Sequence, residues 1–402
     1  MTRFSLNLPS ISRWLPGASA ALAALALAGC AAPRVAAVND DALPFDQAVV
    51  VATDALVRQS PAMTGFLARL GKRQVVLDPT LDAGTGQQTA ATQQLDSAIA
   101  DRMTRNFDQI EVLPFRGANL SKAQYLLTGT LGPEQGAYRV NLALIDLKSG
   151  TVVAQSSARA RPDGVDMSLL AYYRDSPVLV KDKVIEGYVR TSTTARGQKA
   201  DATYLERIAA ATVINDATVL YNAERYQEAL GQYRSAMATP AGDQLRVLNG
   251  IYLSNVKLGQ MAEAEEAFGR VVAFGIAYNE LGVKLLFKPD STEFWSDPKV
   301  SGVYGMWLRQ IAREGGSAKA CMDIIGHTSK TGSAAYNDAL SLQRAAYIRR
   351  RLGTESAELA TRARVQGMGF RQNIVGSGTD DGVDALDRRV EFKIVQCSAG
   401  VA

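Results

Sequence analysis

The chain has 402 residues, 47% of them apolar and 21% charged, with 44 Lys and Arg against 40 Asp and Glu. That composition can build packed cores, which excludes a disordered chain, and the length leaves room for two or three domains. A formal charge of +4 gives no electrostatic argument for nucleic acid as a partner.

At the start, Arg3 and Arg13 precede an apolar run from Ala18 to Ala28, followed by Gly29 and Cys30. The run is too short to span a bilayer and reads as the core of a secretory signal. Leu27-Ala28-Gly29-Cys30 resembles the lipobox of bacterial lipoproteins, which implies a signal peptide over residues 1–29 and lipidation of Cys30. In that family an acidic residue after the cysteine favours the inner membrane. Here Ala31 follows, so the resemblance implies an outer-membrane anchor. Each acyl CH₂ buried in lipid contributes about 0.8 kcal/mol. No other segment reaches the ~18 apolar residues of a spanning helix. Loss of residues 1–29 removes Arg3 and Arg13 and no acid, lowering the charge from +4 to +2. Cys321 and Cys397 are then the two remaining cysteines. In an oxidising compartment they are expected to form a disulfide, two separate buried thiols being the alternative.

Residues 30–44 lack periodicity and read as a tether. Phe45, Ala48, Val49, Ala52 and Leu56 then recur at helical spacing. Arg73–Asp78 is a strand stopped by Pro79, Leu95, Ile99 and Met103 mark a second helix, and Gln109–Leu113 is another strand. Tyr125–Thr130, Tyr138–Leu147 and Thr151–Ala158 read as an antiparallel meander, the first two joined by Gly132-Pro133-Glu134-Gln135-Gly136. The order predicts a small α/β sandwich over residues 45–165. The phrase Tyr125-Leu-Leu-Thr-Gly-Thr-Leu131 with the Asp146-x-Lys-Ser-Gly-x-Val152 turn resembles the CsgG, TolB N-terminal, FlgO and LpoB group of envelope proteins. Residues 166–200 read as a short helical stretch and then a polar linker.

Between residues 201 and 276 the pattern is helical throughout. Arg225–Ala236 aligns with Gln260–Val271 at an offset of 35, setting Ala229 over Ala264 and Tyr233 over Phe268. This is similar to tetratricopeptide repeats, whose period is ~34 residues. Two such units are fewer than the ~3 needed for stability alone, so the pair is expected to lean on a neighbour.

From Gly282 the chain changes character. Val283–Phe287, Cys321–Gly326 and Arg388–Gln396 read as strands, with helical spacing through Val300, Val303, Trp307 and Ile311. The residues Phe287, Ser291, Gly326-His327-Thr328, Gly332, Tyr336-Asn337, Leu340-Ser341, Arg344-Ala345, Ile348, Leu352, Gly367, Gly369 and Arg388-Arg389-Val390-Glu391 follow the order of an OmpA-like domain. Residues 280–397 are identified with that family, which implies a βαβαββ fold and peptidoglycan as ligand. In the resemblance, Arg344 takes the carboxylate of the stem-peptide diaminopimelate and a loop Asp takes its ammonium. Asn337, Ser341 and Arg344 share one helix face, directed at the loop after Thr328. Ser329 stands where the family carries the acid, and Asp290 or Asp338 could supply the missing charge. Hydrogen bonds to charged groups are worth about 1.5–3 kcal/mol against ~0.5–1.5 for neutral ones, so binding could weaken about ten-fold.

Asp380, Asp381, Asp384 and Asp387 lie in a Gly-rich loop without a calcium-loop pattern, and read as a solvated acidic loop rather than a metal site. His327 is the only histidine, which rules out a two-histidine zinc site. Gly65–Lys72 resembles a P-loop but has one residue too many between its glycines and Arg73 where Ser or Thr is required. No enzyme and no cofactor are expected. The fold class is therefore read as α/β plus all-α multidomain. The expected role is an outer-membrane lipoprotein that holds peptidoglycan and recruits an envelope protein through its repeats. The alternative is an envelope assembly factor or regulator of a cell-wall synthase in which the OmpA-like domain binds protein.

Overall fold

The computed structural model describes residues 41–65, 71–178, 181–374, 376, 378 and 380–397. The signal segment, Cys30 and most of the tether lie outside the described residues.

Helix α1 (Phe45–Gln59) buries Phe45, Ala48, Val49, Ala52 and Leu56, the positions marked by its periodicity. After α2 (Pro61–Thr64) come β1 (Arg73–Leu77), β2 (Leu81–Asp82), α3 (Ala90–Asn106), β3 (Ile110–Leu113), α4 (Gly117–Leu120), β4 (Tyr125–Glu134), β5 (Ala137–Asp146) and β6 (Thr151–Ala160). Thr89 and Thr92 close a reciprocal capping box at the start of α3, satisfying amides that a helix end otherwise leaves bare. The strands pair in the order β3-β1-β4-β5-β6, with β2 beside β4. Strand β1 is parallel to β3 and β4, whereas β4, β5 and β6 are antiparallel. The β4–β5 connection is tighter than expected. Gly132, Pro133 and Glu134 remain in the ladder, and the turn is only Gln135-Gly136, both at positive φ (49° and 75°). Two such residues match the twist of a two-residue hairpin.

Residues 166–200, read as a short helical stretch and then a polar linker, do hold helix and pack against the sheet. The stretch forms α5 (Ala171–Asp175), α6 (Lys183–Ser192) and, after residue 200, α7 (Ala202–Glu206). Val184, Ile185 and Tyr188 of α6 pack with Val76, Leu126, Ala143 and Ile145 on the second face of the sheet, opposite the face covered by α1 and α3. Tyr188 explains why a helix must lie there. Its buried hydroxyl accepts from the Gly129 amide at 3.0 Å and sits 2.8 Å from the Pro79 carbonyl. Inside the protein those groups have no water to turn to.

Four helices follow as two antiparallel hairpins: α8 (Ile208–Asn222), α9 (Tyr226–Met237), α10 (Leu245–Lys257) and α11 (Met261–Tyr278). Ala229, Tyr233, Ala264 and Phe268 are fully buried. Tyr233 lies over Gly250, where an added Cβ would come 2.4 Å from its ring.

The C-terminal part contains β7 (Lys284–Leu286), α12 (Pro298–Ser301), α13 (Tyr304–Ser317), β8 (Cys321–Gly326), α14 (Ala334–Glu355), α15 (Ala357–Arg362), β9 (Ala363–Gly367) and β10 (Arg389–Val395). Its sheet runs β7-β10-β8-β9, with β8 parallel to β9 and β10 antiparallel to β7 and β8. One apolar cluster runs unbroken from the hairpins into this sheet, from Ile214 and Phe268 to Trp307, Ile348 and Phe392. Phe268 stacks on Trp307 at 5.3 Å, and the Trp307 indole donates to the Tyr252 hydroxyl at 2.7 Å. The hairpins are thereby fused to the domain that follows. Cys321 and Cys397 are joined as a disulfide.

Candidate functional site

The site residues gather where the C-terminal end of β8 meets the N-terminal end of β10. Helix α14 fixes the floor. Leu340, Ile348 and Leu352 face the sheet and are buried, while Asn337, Ser341 and Arg344 form a second buried stripe. Each member of that stripe holds a different loop. The Asn337 amide donates to the carbonyls of Thr331 (2.7 Å) and Ser333 (3.0 Å). Ser341 Oγ accepts from the Gly369 amide at 3.0 Å.

Arg344 is 0% exposed. Its Nε donates to the Ser291 carbonyl (2.9 Å), Nη1 to His327 (2.9 Å) and Nη2 to Lys288 (2.8 Å), with the guanidinium over the Phe287 ring. The expected fork for a ligand carboxylate thus spends three of its five donors on main-chain carbonyls. Burial, and then the neighbouring Arg388, hold this guanidinium down to about 10, against the pull of Asp380 and Asp290.

The loop after β8 is equally enclosed. Thr328 and Ser329 are 2% and 4% exposed. The Thr328 amide donates to the Gly369 carbonyl at 2.9 Å, while Thr328 Oγ1 is buried without a hydrogen-bond partner among the described residues. His327 lies with Nε2 3.3 Å from Glu391. Burial depresses the imidazole below its usual range, opposed by Glu391.

The acid missing from the His327-Thr328-Ser329 motif is present in space. Ser329 Oγ donates to Asp380 Oδ1 at 2.5 Å, and Arg388 Nη1 holds the same oxygen at 2.6 Å. Neither acid expected to substitute takes this position. Asp290 is exposed, with φ +47°, and Asp338 pairs with Arg371 at 2.6 Å on the outer surface. Sequence reasoning missed Asp380 because 51 residues separate it from Ser329.

The loop carrying Asp380 is not a solvated acidic loop either. Asp384 and Asp387 are 0% exposed. Asp387 accepts from the amides of Ile374 (2.5 Å) and Gly376 (2.7 Å), and Asp384 from the amide of Asp380 (3.0 Å). Carboxylates that accept backbone amides act as fixed struts. Here they present Asp380, itself in the left-handed region at φ +57°. Arg388 completes the brace, donating to the Asp381 carbonyl (2.6 Å) and stacking over Trp295.

Residues 286–385 match the model of the OmpA family. The peptidoglycan-associated lipoprotein from Burkholderia pseudomallei is 24% identical, with a TM-score of 0.24, over 28% of this chain and 89% of that one. The cell wall anchor of the T6SS from Pseudomonas aeruginosa is 22% identical, with a TM-score of 0.22, over 27% and 73%. The LpoB C-terminal domain from Salmonella enterica is 9% identical, with a TM-score of 0.24, over 30% and 99%. No curated protein matches the chain. The ordered motif and the four-stranded sheet overlap the family match, and residues 286–385 are an OmpA-family domain.

Proposed function

We propose that this chain is an envelope protein that binds peptidoglycan non-covalently through its OmpA-family domain. The observation that carries the reading is the triangle of Ser329, Asp380 and Arg388 at the strand ends. It restores an anionic group beside the His-Thr-Ser loop, next to cationic Arg388 and Arg344. Adjacent groups of opposite sign suit a ligand bearing both an ammonium and a carboxylate, such as the diaminopimelate of a stem peptide.

The test is co-sedimentation of the mature protein with purified diaminopimelate-type sacculi. Wild type binds, Asp380→Asn weakens binding about ten-fold, and the relocated pair Ser329→Asp with Asp380→Ser restores it. Wild-type binding that ignores Asp380→Asn overturns the role of this acid. No wild-type binding at all favours a second reading, in which the domain holds a protein. The observation on that side is Arg344, whose donors are engaged within the chain.

The rest of the reading extends to the other regions. Lipid on Cys30 holds the outer membrane, and labelling with a palmitate analogue is lost in Cys30→Ala. The paired helices act as tetratricopeptide-like hairpins that recruit an envelope partner, and the α/β domain serves the same assembly without catalysing a reaction or carrying a cofactor.

A further inference from the structure

Residues 171–178 lie across α8 and α10 and are held the way a receptor holds a peptide. The Tyr172 amide donates to Asn222 Oδ1 at 2.8 Å, and its hydroxyl donates to the Arg246 carbonyl at 2.8 Å. Asn249 Nδ2 donates to Ser176 Oγ at 2.9 Å. Asp175 Oδ2 receives both the Tyr221 hydroxyl (3.0 Å) and Lys257 Nζ (2.8 Å). The Tyr172 ring meets Tyr221 edge-on at 5.8 Å and stacks on Tyr233 at 6.0 Å.

The segment then leaves the helices and joins a sheet edge. The Pro177 carbonyl accepts from the Lys284 amide, and Val178 bridges Val283 in antiparallel fashion, beside β7, an edge strand of the sheet. Side-chain reading of a short segment and strand addition at a free edge are both recurring modes of peptide capture.

Its packing is also incomplete. Tyr173 and Ser176 border two cavities, one of about 440 Å³ with Lys257 and Trp307, the other with Arg246 and Asn249. Asn249, 3% exposed, keeps its Oδ1 without a partner there among the described residues.

We propose that residues 171–178 are a displaceable occupant of a peptide-binding groove, which accepts in trans a protein segment with a tyrosine followed three residues later by an acid. Tyr221, Tyr233 and Asn222 receive the tyrosine, and Lys257 receives the acid. The inference rests on the reading of the hairpins as the partner-recruiting element. It implies that a partner must compete with a segment tethered at high local concentration, which weakens trans binding by about 10²–10⁴.

The probe is a fluorescent peptide of residues 168–178, added to the full mature chain and followed by anisotropy. We expect the Tyr172→Ala, Asp175→Ala double variant to bind it at least about a hundred-fold more tightly than wild type. Lys257→Glu in that background abolishes binding, and a peptide carrying Asp175→Lys restores it. A folded double variant that ignores the peptide overturns the proposal, as does a double variant that no longer folds. In unmodified protein, the Tyr172 amide should exchange with solvent well before the amides of α8 and α10. Exchange together with them makes the segment a permanent part of the core and also overturns the proposal. Because the probe is the chain's own segment, a groove failure is distinguishable from the lack of an envelope partner, and sacculus binding is read separately.

Discussion

The N-terminal and C-terminal sheets both withdraw carboxyl groups from water, by opposite means. Asp78, at the end of β1, is pushed up to about 7 by burial, against the Tyr204 hydroxyl at 2.5 Å and the field of Arg246. Glu391, on β10, is also pushed up by burial, but His327 and Arg389 outweigh it and hold it down to about 2. The first sheet holds an acid whose carboxyl is pushed up by burial among tyrosines. The second sets an arginine beside each of its acids, Arg389 at Glu391 and Arg388 at Asp380. A region whose charges are braced in this way can offer charge to a ligand without reorganising. The tyrosine-lined region cannot.

The sharpest way to break this contrast is to remove the arginine that ties together the loops of the second region. Arg344→Ala strips three buried carbonyls of charged donors, each bond worth about 1.5–3 kcal/mol, and should destabilise the protein by roughly 4 kcal/mol or more in thermal unfolding. A loss below about 1 kcal/mol would mean the three loops do not depend on it. Next in size is the disulfide. Cys321→Ser with Cys397→Ser should cost about 3 kcal/mol, read as a denaturant midpoint lowered at unchanged slope.

The pH responses of the two sheets have opposite sign. Asp78 has a folded value of about 7 above its ordinary 3.8. Its contribution is therefore full below pH 3.8 and is lost as pH rises towards 7. Glu391 lies at about 2, below its ordinary 4.5, so its contribution is full above pH 4.5 and is lost as pH falls towards 2. Between pH 5 and 7 we expect β1 and β4 amides to lose up to about 2 kcal/mol of exchange protection, while β8 and β10 lose none, the depressed His327 imidazole adding protection there as pH rises. Asp78→Asn should lessen the N-terminal response, the rest being carried by Asp96, also pushed up to about 7 by burial, and an unchanged slope in that variant would refute the assignment. The smallest effect is Tyr188→Phe, about 1–2 kcal/mol, confined to the seating of α6 on its sheet.

Much of this was legible in the residues, and the parts that were not share a cause. Periodicity placed α1, α3 and the apolar stripe of α14, because those faces repeat along the chain. The order of matches from Phe287 to Glu391 placed the C-terminal domain. Helix α6 is legible as a helical stretch, but its seat on the sheet is not, because its buried face is only about three turns long and sits among Lys, Arg and Thr. Asp384 and Asp387 escaped because an acid in a Gly-rich loop reads as solvated unless the amides it caps are known. Asp380 escaped for a third reason: its meeting with Ser329 is made by the antiparallel return of β10, and no local pattern encodes such a distant pairing.

The disulfide has a mechanical meaning. In the β8–β10 ladder, Val390 pairs with Gly326 at one end and Val395 with Cys321 at the other. Ser329, Asp380 and Arg388 lie beyond the first end, and the Cys321–Cys397 bond closes the second. A pull delivered at the loops would open the two strands from that side, one rung at a time, as a zip fastener opens. The covalent link stands at the last rung, like the stop at the bottom of the zip, so the strands could part at the loaded end yet stay joined and in register to close again when the load is released.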